Sequence, residues 1–268
     1  MSTFQHSVYL DPEKCKGCIN CIKHCPTGAI RVRGRKAHII KEFCIDCGEC
    51  VRVCPHHAKK TRYDGLETLQ NYAYTVALPA PSFYAQFNNI TDTNIILSAL
   101  LKLGFNDVLE VAAAAEIVSE LSRQYIASHP NGKPFISTAC PSVTRLIRVR
   151  FPALLERLLP ILPPVELAAR VAARRAMQKT GLKREEIGIF FISPCPAKVT
   201  YVQDPLCIEK SEIDRVLAVK KVYTALLPLM DAADAEKDLK IAGKIGISWG
   251  YSGGEVAGLL TDSYIAVD

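Results

Sequence analysis

A run of cysteines is written twice, and nothing else in the chain constrains its folding as much. The pattern Cys-x-x-Cys-x-x-Cys-x-x-x-Cys-Pro occurs at Cys15, Cys18, Cys21, Cys25 and Pro26, and again at Cys44, Cys47, Cys50, Cys54 and Pro55. All four cysteines and the proline recur at an offset of 29 residues, which marks an internal repeat. The x-x spacing lets one tight loop aim three sulfurs at a single centre. Zinc sites use ligands in two pairs and have no use for a proline-terminated run of four. Disulfides need an oxidising compartment, and residues 1–11 lack the apolar core of a secretory signal.

Each copy resembles one half of a two-cluster ferredoxin, in which the fourth cysteine of each run reaches the other cluster. The resemblance implies two 4Fe-4S clusters, one held by Cys15, Cys18, Cys21 and Cys54, the other by Cys44, Cys47, Cys50 and Cys25. It implies an α+β ferredoxin-like domain over residues 1–60. Ala29–Val32 and His38–Ile40 flank a basic Arg33-Gly34-Arg35 turn and predict a short hairpin. From Lys59 to Asn71 the chain is polar, and residues 61–71 are expected to be a linker.

With 268 residues, 49% of them hydrophobic, the chain has room for a real core and for two domains. The apolar run Val108–Val118 is interrupted by Glu110 and Glu116, so no membrane span is expected. A soluble, cytoplasmic protein is expected, because thiolates survive in a reducing compartment. Residues 1–60 carry 11 Lys or Arg against 5 Asp or Glu, while the remainder is balanced at 22 against 22. That local excess offsets the negative charge of thiolate-bound clusters or docks an acidic redox partner, such as a ferredoxin. Arg31, Arg33, Arg35 and Lys36 have no aromatic residues between them, and nucleic acid is not an expected partner.

From Tyr72 onward, strand and helix patterns alternate, which predicts an α/β domain over 72–268 with a mostly parallel sheet. Strands are expected at Tyr72–Leu78, Phe105–Val111, Phe135–Thr138, Ile187–Ile192, Val216–Val219 and Ile245–Ser248. Helices are expected from Asp92 to Leu103, from Ala113 to Ser128, from Val165 to Thr180, from Val222 to Lys237, and from Gly253 onward. Cys140-Pro141 and Cys195-Pro196 each follow an expected strand, at the edge where parallel sheets bind ligands.

Ser137-Thr138-Ala139-Cys140-Pro141 and Ser193-Pro194-Cys195-Pro196-Ala197-Lys198 resemble the first two active-site motifs of the iron-iron hydrogenases, Thr-Ser-Cys-Cys-Pro and Met-Pro-Cys-x-x-Lys. The resemblance implies that Cys140 and Cys195 ligate the 4Fe-4S part of an H-cluster and that Lys198 hydrogen-bonds a cyanide of its di-iron unit. Ala80 and Pro81 would line the pocket, and the ferredoxin clusters would relay electrons. Ala139 stands where catalytic members carry a proton-shuttling cysteine, Ser193 replaces methionine, and Tyr201 replaces glutamate. Ser122, Tyr125 and Leu159 align with the remaining proton-relay positions. Slow proton delivery is implied, as in the sensory branch of the family, whose H-cluster reports to a signalling module. The third motif, with the other two cubane cysteines, is missing, and a C-terminal truncation is expected. The expected function is slow or hydrogen-sensing hydrogenase chemistry; the alternative is an electron-transfer or iron–sulfur scaffold protein without it.

Gly250-Tyr251-Ser252-Gly253-Gly254 fits a hydrolase elbow, but no histidine follows His129 to complete a triad. The glycines are expected in a tight turn or a close backbone approach. Cys207 is expected to be buried. Arg145, Arg148 and Arg150 are expected on a solvated helix face.

Overall fold

In the structure, a computed structural model that describes residues 6–88, 90–130 and 134–259, the 29-residue offset extends from the cysteines to the backbone. Strand β1 (Val8–Leu10), helix α1 (Asn20–Lys23), strands β2 (Ile30–Arg33) and β3 (Lys36–Ile39), helix α2 (Glu49–Arg52) and strand β4 (Lys59–Thr61) form two copies of one motif. α2 repeats α1, β4 repeats the start of β2, and the end of β3 repeats β1. β1 pairs antiparallel with β4 and sets Leu10 opposite Lys59, as β2 and β3 set Ile30 opposite Ile39. The flanking bonds repeat too: Asp11 N donates to Ala58 O, and Ile40 N to Ala29 O, both at 2.7 Å.

The repeat also shares a backbone demand. Left-handed conformations occur at Gly17 (φ 72°) and at its equivalent Asp46 (φ 52°). A Cβ on Gly17 would lie 2.5 Å from Arg35 O, so only glycine fits there. The hairpin expected around Gly34 is present, and positive φ at both Gly34 and Arg35 matches the twist of its strands.

The stretch expected as a polar linker has a structure of its own. Lys59–Thr61 is β4, and Arg62 N donates to Ser7 O at 2.8 Å. Leu66–Asn71 forms 3-10 turns that place Leu66 and Leu69 against a hydrophobic core.

The chain continues through β5 (Tyr74–Pro79), α3 (Pro81–Tyr84), α4 (Thr93–Lys102), β6 (Asp107–Val108), α5 (Val111–Ser128), α6 (Pro141–Arg150) and α7 (Pro164–Thr180). It ends with β7 (Ile187–Ser193), α8 (Pro196–Gln203), β8 (Arg215–Ala218), α9 (Val219–Leu226), α10 (Lys244–Ser248) and α11 (Gly254–Ala257). Two compact units result, and each is discontinuous in sequence. One comprises the chain up to Tyr63 with Ile136–Leu158 and Cys195–Ser211; the other comprises Asp64–Phe135, Leu159–Pro194 and the chain from Glu212. The first is the α+β ferredoxin-like repeat with α6 and α8 added.

The second unit is α/β, with a fully parallel sheet in the order β6-β5-β7-β8. All seven residues of β7 are buried, as expected for a central strand covered on both faces. Phe190 and Ile192 join Leu97, Leu100, Val222 and Leu226 in one core, so α4 and α9 cover one face. α7 packs against β5, β7 and α5, and its Ala168, Ala169, Ala172, Ala173 and Ala176 are buried. Asp92 caps α4 by accepting from Asn94 N at 2.9 Å, and Gly181 ends α7 at φ 72°.

Four expected elements differ. Ile245–Ser248 lies in helix α10, where Gly246 fits against the Ala112 carbonyl with no space for a Cβ. Ile136 makes only an isolated bridge to Leu158, so Phe135–Thr138 is not a sheet strand. Phe105–Val111 contracts to the two residues of β6, because Val111 already begins α5. The helix expected to reach Lys237 stops at Leu226, because Pro228 cannot continue it.

Candidate metal centre

The eight cysteines of the repeat separate into two cavities. One is lined by Cys15, Cys18, Cys21 and Cys54, with Lys16, His56 and Lys59 among its walls. The other is lined by Cys25, Cys44, Cys47 and Cys50, with Ile30, Asp46 and Glu49. Each cavity therefore takes three sulfurs from one loop and one from the other copy. Backbone N–H groups point at the crossing sulfurs: Ala29 N donates to Cys25 Sγ at 3.2 Å, and Ala58 N to Cys54 Sγ at 3.3 Å. Ala37 N donates to Cys15 Sγ at 3.4 Å.

Burial pushes the Cys44 and Cys50 thiols up to about 12. It also raises Cys21 and Cys47. On Cys54 burial acts in the same direction, but the backbone N–H groups of Lys59, Ala58 and His56 outweigh it and the thiol is lowered. Eight sulfur donors in two groups of four suit a soft, thiolate-binding metal centre. One buried polar atom in this region is orphaned: Lys59 Nζ has no hydrogen-bond partner among the described residues. An anionic centre in the first cavity would answer it.

Ser7 and Asp46 brace the second loop. The buried Asp46 carboxylate accepts from Val8 N at 2.9 Å and Ser7 Oγ at 3.2 Å, and it pairs with His6. Asp46 is held below the usual carboxylate range: burial acts against this, and the His6 hydrogen bond and charge outweigh it. Neither His6 nor Asp46 was expected at a site; the signal available was that Asp46 replaces Gly17 of the repeat.

Cys140 and Cys195 sit in the same unit as the cysteine repeat, and each occupies the N-cap of a helix whose first residue is proline. Cys195 lies two residues past the end of β7, whereas Cys140 follows no sheet strand. Lys198 Nζ donates to Ala139 O at 2.7 Å, so the second motif reaches the first, and it lies 5.6 Å from the centre of the Tyr201 ring. Burial raises the Cys195 thiol, Lys198 opposes the rise, and Cys140 adds to it. Ala80 caps α3 in the other unit, its N–H bonded to Ile192 O at 3.1 Å, and Pro81 begins that helix.

Arg145 is not on a solvated face. It is 8% exposed and donates to Asp204 O at 2.7 Å and Asp204 Oδ2 at 3.0 Å, tying α6 to the end of α8. Cys207 is exposed and left-handed (φ 66°), contrary to the buried position expected. Gly250 and Gly254 meet the chain's own backbone, where a Cβ would lie 2.8 Å from Pro81 O and 1.7 Å from Ser248 O, while Gly253 serves a left-handed turn (φ 71°). Among the described residues, no helix is long and apolar enough to cross a membrane.

The family model for the iron-only hydrogenase large subunit, C-terminal domain, matches residues 73–252, and that for a 4Fe-4S dicluster domain matches residues 7–55. Similar solved structures include an FeFe-hydrogenase HydA1 variant from Chlamydomonas reinhardtii, 16% identical, covering 64% of this chain and 46% of its own, with a TM-score of 0.47. Another, a HydA structure concerned with stepwise H-cluster assembly, is 17% identical over the same shares, with a TM-score of 0.48. The chain thus spans just under half the length of these structures. Among curated proteins there is no match. With one family model covering well over half of the chain and an iron–sulfur dicluster domain before it, this redox protein belongs to the iron-only hydrogenase large-subunit family.

Proposed function

We propose that the chain relays electrons through two 4Fe-4S clusters toward a hydrogenase-type site begun by Cys140, Cys195 and Lys198. Cys15, Cys18, Cys21 and Cys54 would hold one cluster, and Cys25, Cys44, Cys47 and Cys50 the other; the division of eight thiols between two cavities supports this. The observation that carries the proposal is the Lys198 hydrogen bond to Ala139 O, which joins the two cysteine motifs in the unit that holds the repeat.

An H-cluster, when bound, supplies the centre at which hydrogen is split into protons and electrons. Cys140 and Cys195 are two of the four thiolates a cubane needs, so the described residues fit that group only in part. In a chain that also offered the other two, Cys140 and Cys195 would ligate the cubane. Lys198 would present its ammonium to a cyanide. Ala139 carries no titratable group for proton transfer, which supports slow turnover or hydrogen sensing.

Residues 1–60 would act as the dicluster domain, 61–71 as the connection and 72–268 as the hydrogenase-like domain. An acidic redox protein, of the ferredoxin kind, would dock on the basic segment. A groove lined by Arg33, Lys36, His38, Lys41 and Arg62 supports this. A reducing, cytoplasmic setting agrees with eleven free cysteines.

The second reading is electron transfer or cluster scaffolding without hydrogen chemistry, favoured by the two-thiol count of the second constellation. Infrared spectra of a chain that supplies all four thiolates, matured with the hydrogenase assembly machinery, separate the two. Terminal CO and CN bands are expected in the first case, and their absence from a well-loaded sample leaves only the second.

A further inference from the structure

Lys59 is 2% exposed, and its Nζ has no hydrogen-bond partner among the described residues. A cation buried without a counter-charge is costly, so the position calls for an anion. Lys59 lines the cavity of Cys15, Cys18, Cys21 and Cys54.

The repeat supplies an internal control. Ile30 stands 29 residues earlier, 3% exposed, in the wall of the cavity of Cys25, Cys44, Cys47 and Cys50. Lys59 and Ile30 begin the equivalent strands β4 and β2, directly after Ala58 and Ala29, whose N–H groups point at equivalent sulfurs. The two cavities are therefore alike in backbone and in crossing ligand, and they differ by a buried amine. The other charged walls act in the same direction: Lys16 lines the first cavity, and Asp46 and Glu49 line the second.

We propose that Lys59 separates the two clusters in potential, its ammonium facing the cluster of the Cys15–Cys54 cavity so that the first electron rests there. This rests on the two-cluster assignment above. Reduction adds one electron, and one negative charge, to a 4Fe-4S centre. A cation in a low-dielectric wall stabilises the reduced form more than the oxidised one, and nearby charge is a lever on cluster potential. Ile30 offers the second cluster no such term.

The test uses the full chain reconstituted with iron and sulfide, titrated with dithionite at poised potentials and read by electron paramagnetic resonance. Two separable one-electron steps are expected. Lys59→Met is expected to lower the upper step, with the ratio of reduced to oxidised cluster falling about tenfold at fixed potential, or ~59 mV for one electron. Lys59→Arg should restore it, and Ile30→Lys should raise the lower step. Unmoved steps in Lys59→Met at unchanged iron content overturn the proposal. Should Lys59→Met lose iron, Lys59→Ile takes its place, since the second cavity already accommodates isoleucine at that point. Iron content reports separately on the underlying assignment: fewer than about eight irons in the unsubstituted chain overturns the two-cluster reading, whatever Lys59 does.

Discussion

Ser142 Oγ donates to the carbonyl of Ile45 at 3.3 Å, which joins the loop after Cys44 to the helix capped by Cys140. Gly48 makes a matching approach to the other motif. Its φ is 81°, and a Cβ there would lie 3.0 Å from Pro196 Cγ. Ser142→Ala is expected to cost about 1 kcal/mol, the usual net worth of such a hydrogen bond. Gly48→Ala, which adds left-handed strain to a close contact, should cost about 1–2 kcal/mol. Urea midpoints of the two variants check both values.

The crossed arrangement of sulfurs makes single cysteine replacements informative. Cys54→Ser removes a sulfur from the cavity of the first loop, although Cys54 belongs to the second run. Loss of about four of about eight irons is expected, with the surviving signal being that of the Cys25, Cys44, Cys47 and Cys50 cavity. Cys25→Ser should leave the complementary signal. Iron analysis and magnetic resonance of the pair decide the matter: if Cys54→Ser instead keeps the cluster of Cys15, Cys18 and Cys21, and Cys25→Ser that of Cys44, Cys47 and Cys50, the crossing is wrong.

In the second unit, Glu110 is buried and accepts from Tyr84 Oη at 2.8 Å, Ile241 N at 2.6 Å and Ala242 N at 2.9 Å. Glu110→Ala strands three donors at once and should destabilise by about 2–4 kcal/mol, with Glu110→Gln recovering part of the loss. Denaturant unfolding measures the total. Faster proteolysis after Lys240 or Lys244 would localise it.

Acid should loosen the 231–242 segment before the rest of this unit. The Lys240 hydrogen bond holds the Asp92 carboxyl below its ordinary range, and the Lys102 hydrogen bond does the same for Asp234. Both carboxyls are depressed in the folded chain. Their contribution is therefore complete above the unfolded carboxyl value of about 4 and is lost as pH falls through the folded values. Hydrogen exchange at Leu239 and Lys240, whose N–H groups are held by Asn94 Oδ1, is expected to rise first. Lys102→Met should bring that onset to higher pH, because Asp234 then titrates nearer its ordinary value.

Periodic and local features were readable in the residues. The 29-residue offset implied two like cysteine loops, because each copy needs the same turns to aim its sulfurs, and the Arg33-Gly34-Arg35 turn between two short apolar segments implied the hairpin. Asp92 and Gly181 marked the limits of α4 and α7, because caps act within one turn of the helices they serve. Ile245–Ser248 misled because a short Ile-Gly-Ile-Ser run suits a strand or a buried helix equally. The choice came from Gly246 against Ala112 O and from Gly246 N donating to Glu116 Oε1 at 3.0 Å.

The amino-acid sequence by itself determined the ligand types, their doubled spacing and the parallel-sheet character of the second half, because these depend on short-range pattern. Tertiary structure alone decided where Lys59 and Arg145 went. Each reads as solvated in a polar run, yet each is buried by contacts with residues distant in sequence. It also decided that Cys140 and Cys195 cap two helices within the unit that holds the cysteine repeat, a juxtaposition that no local propensity encodes.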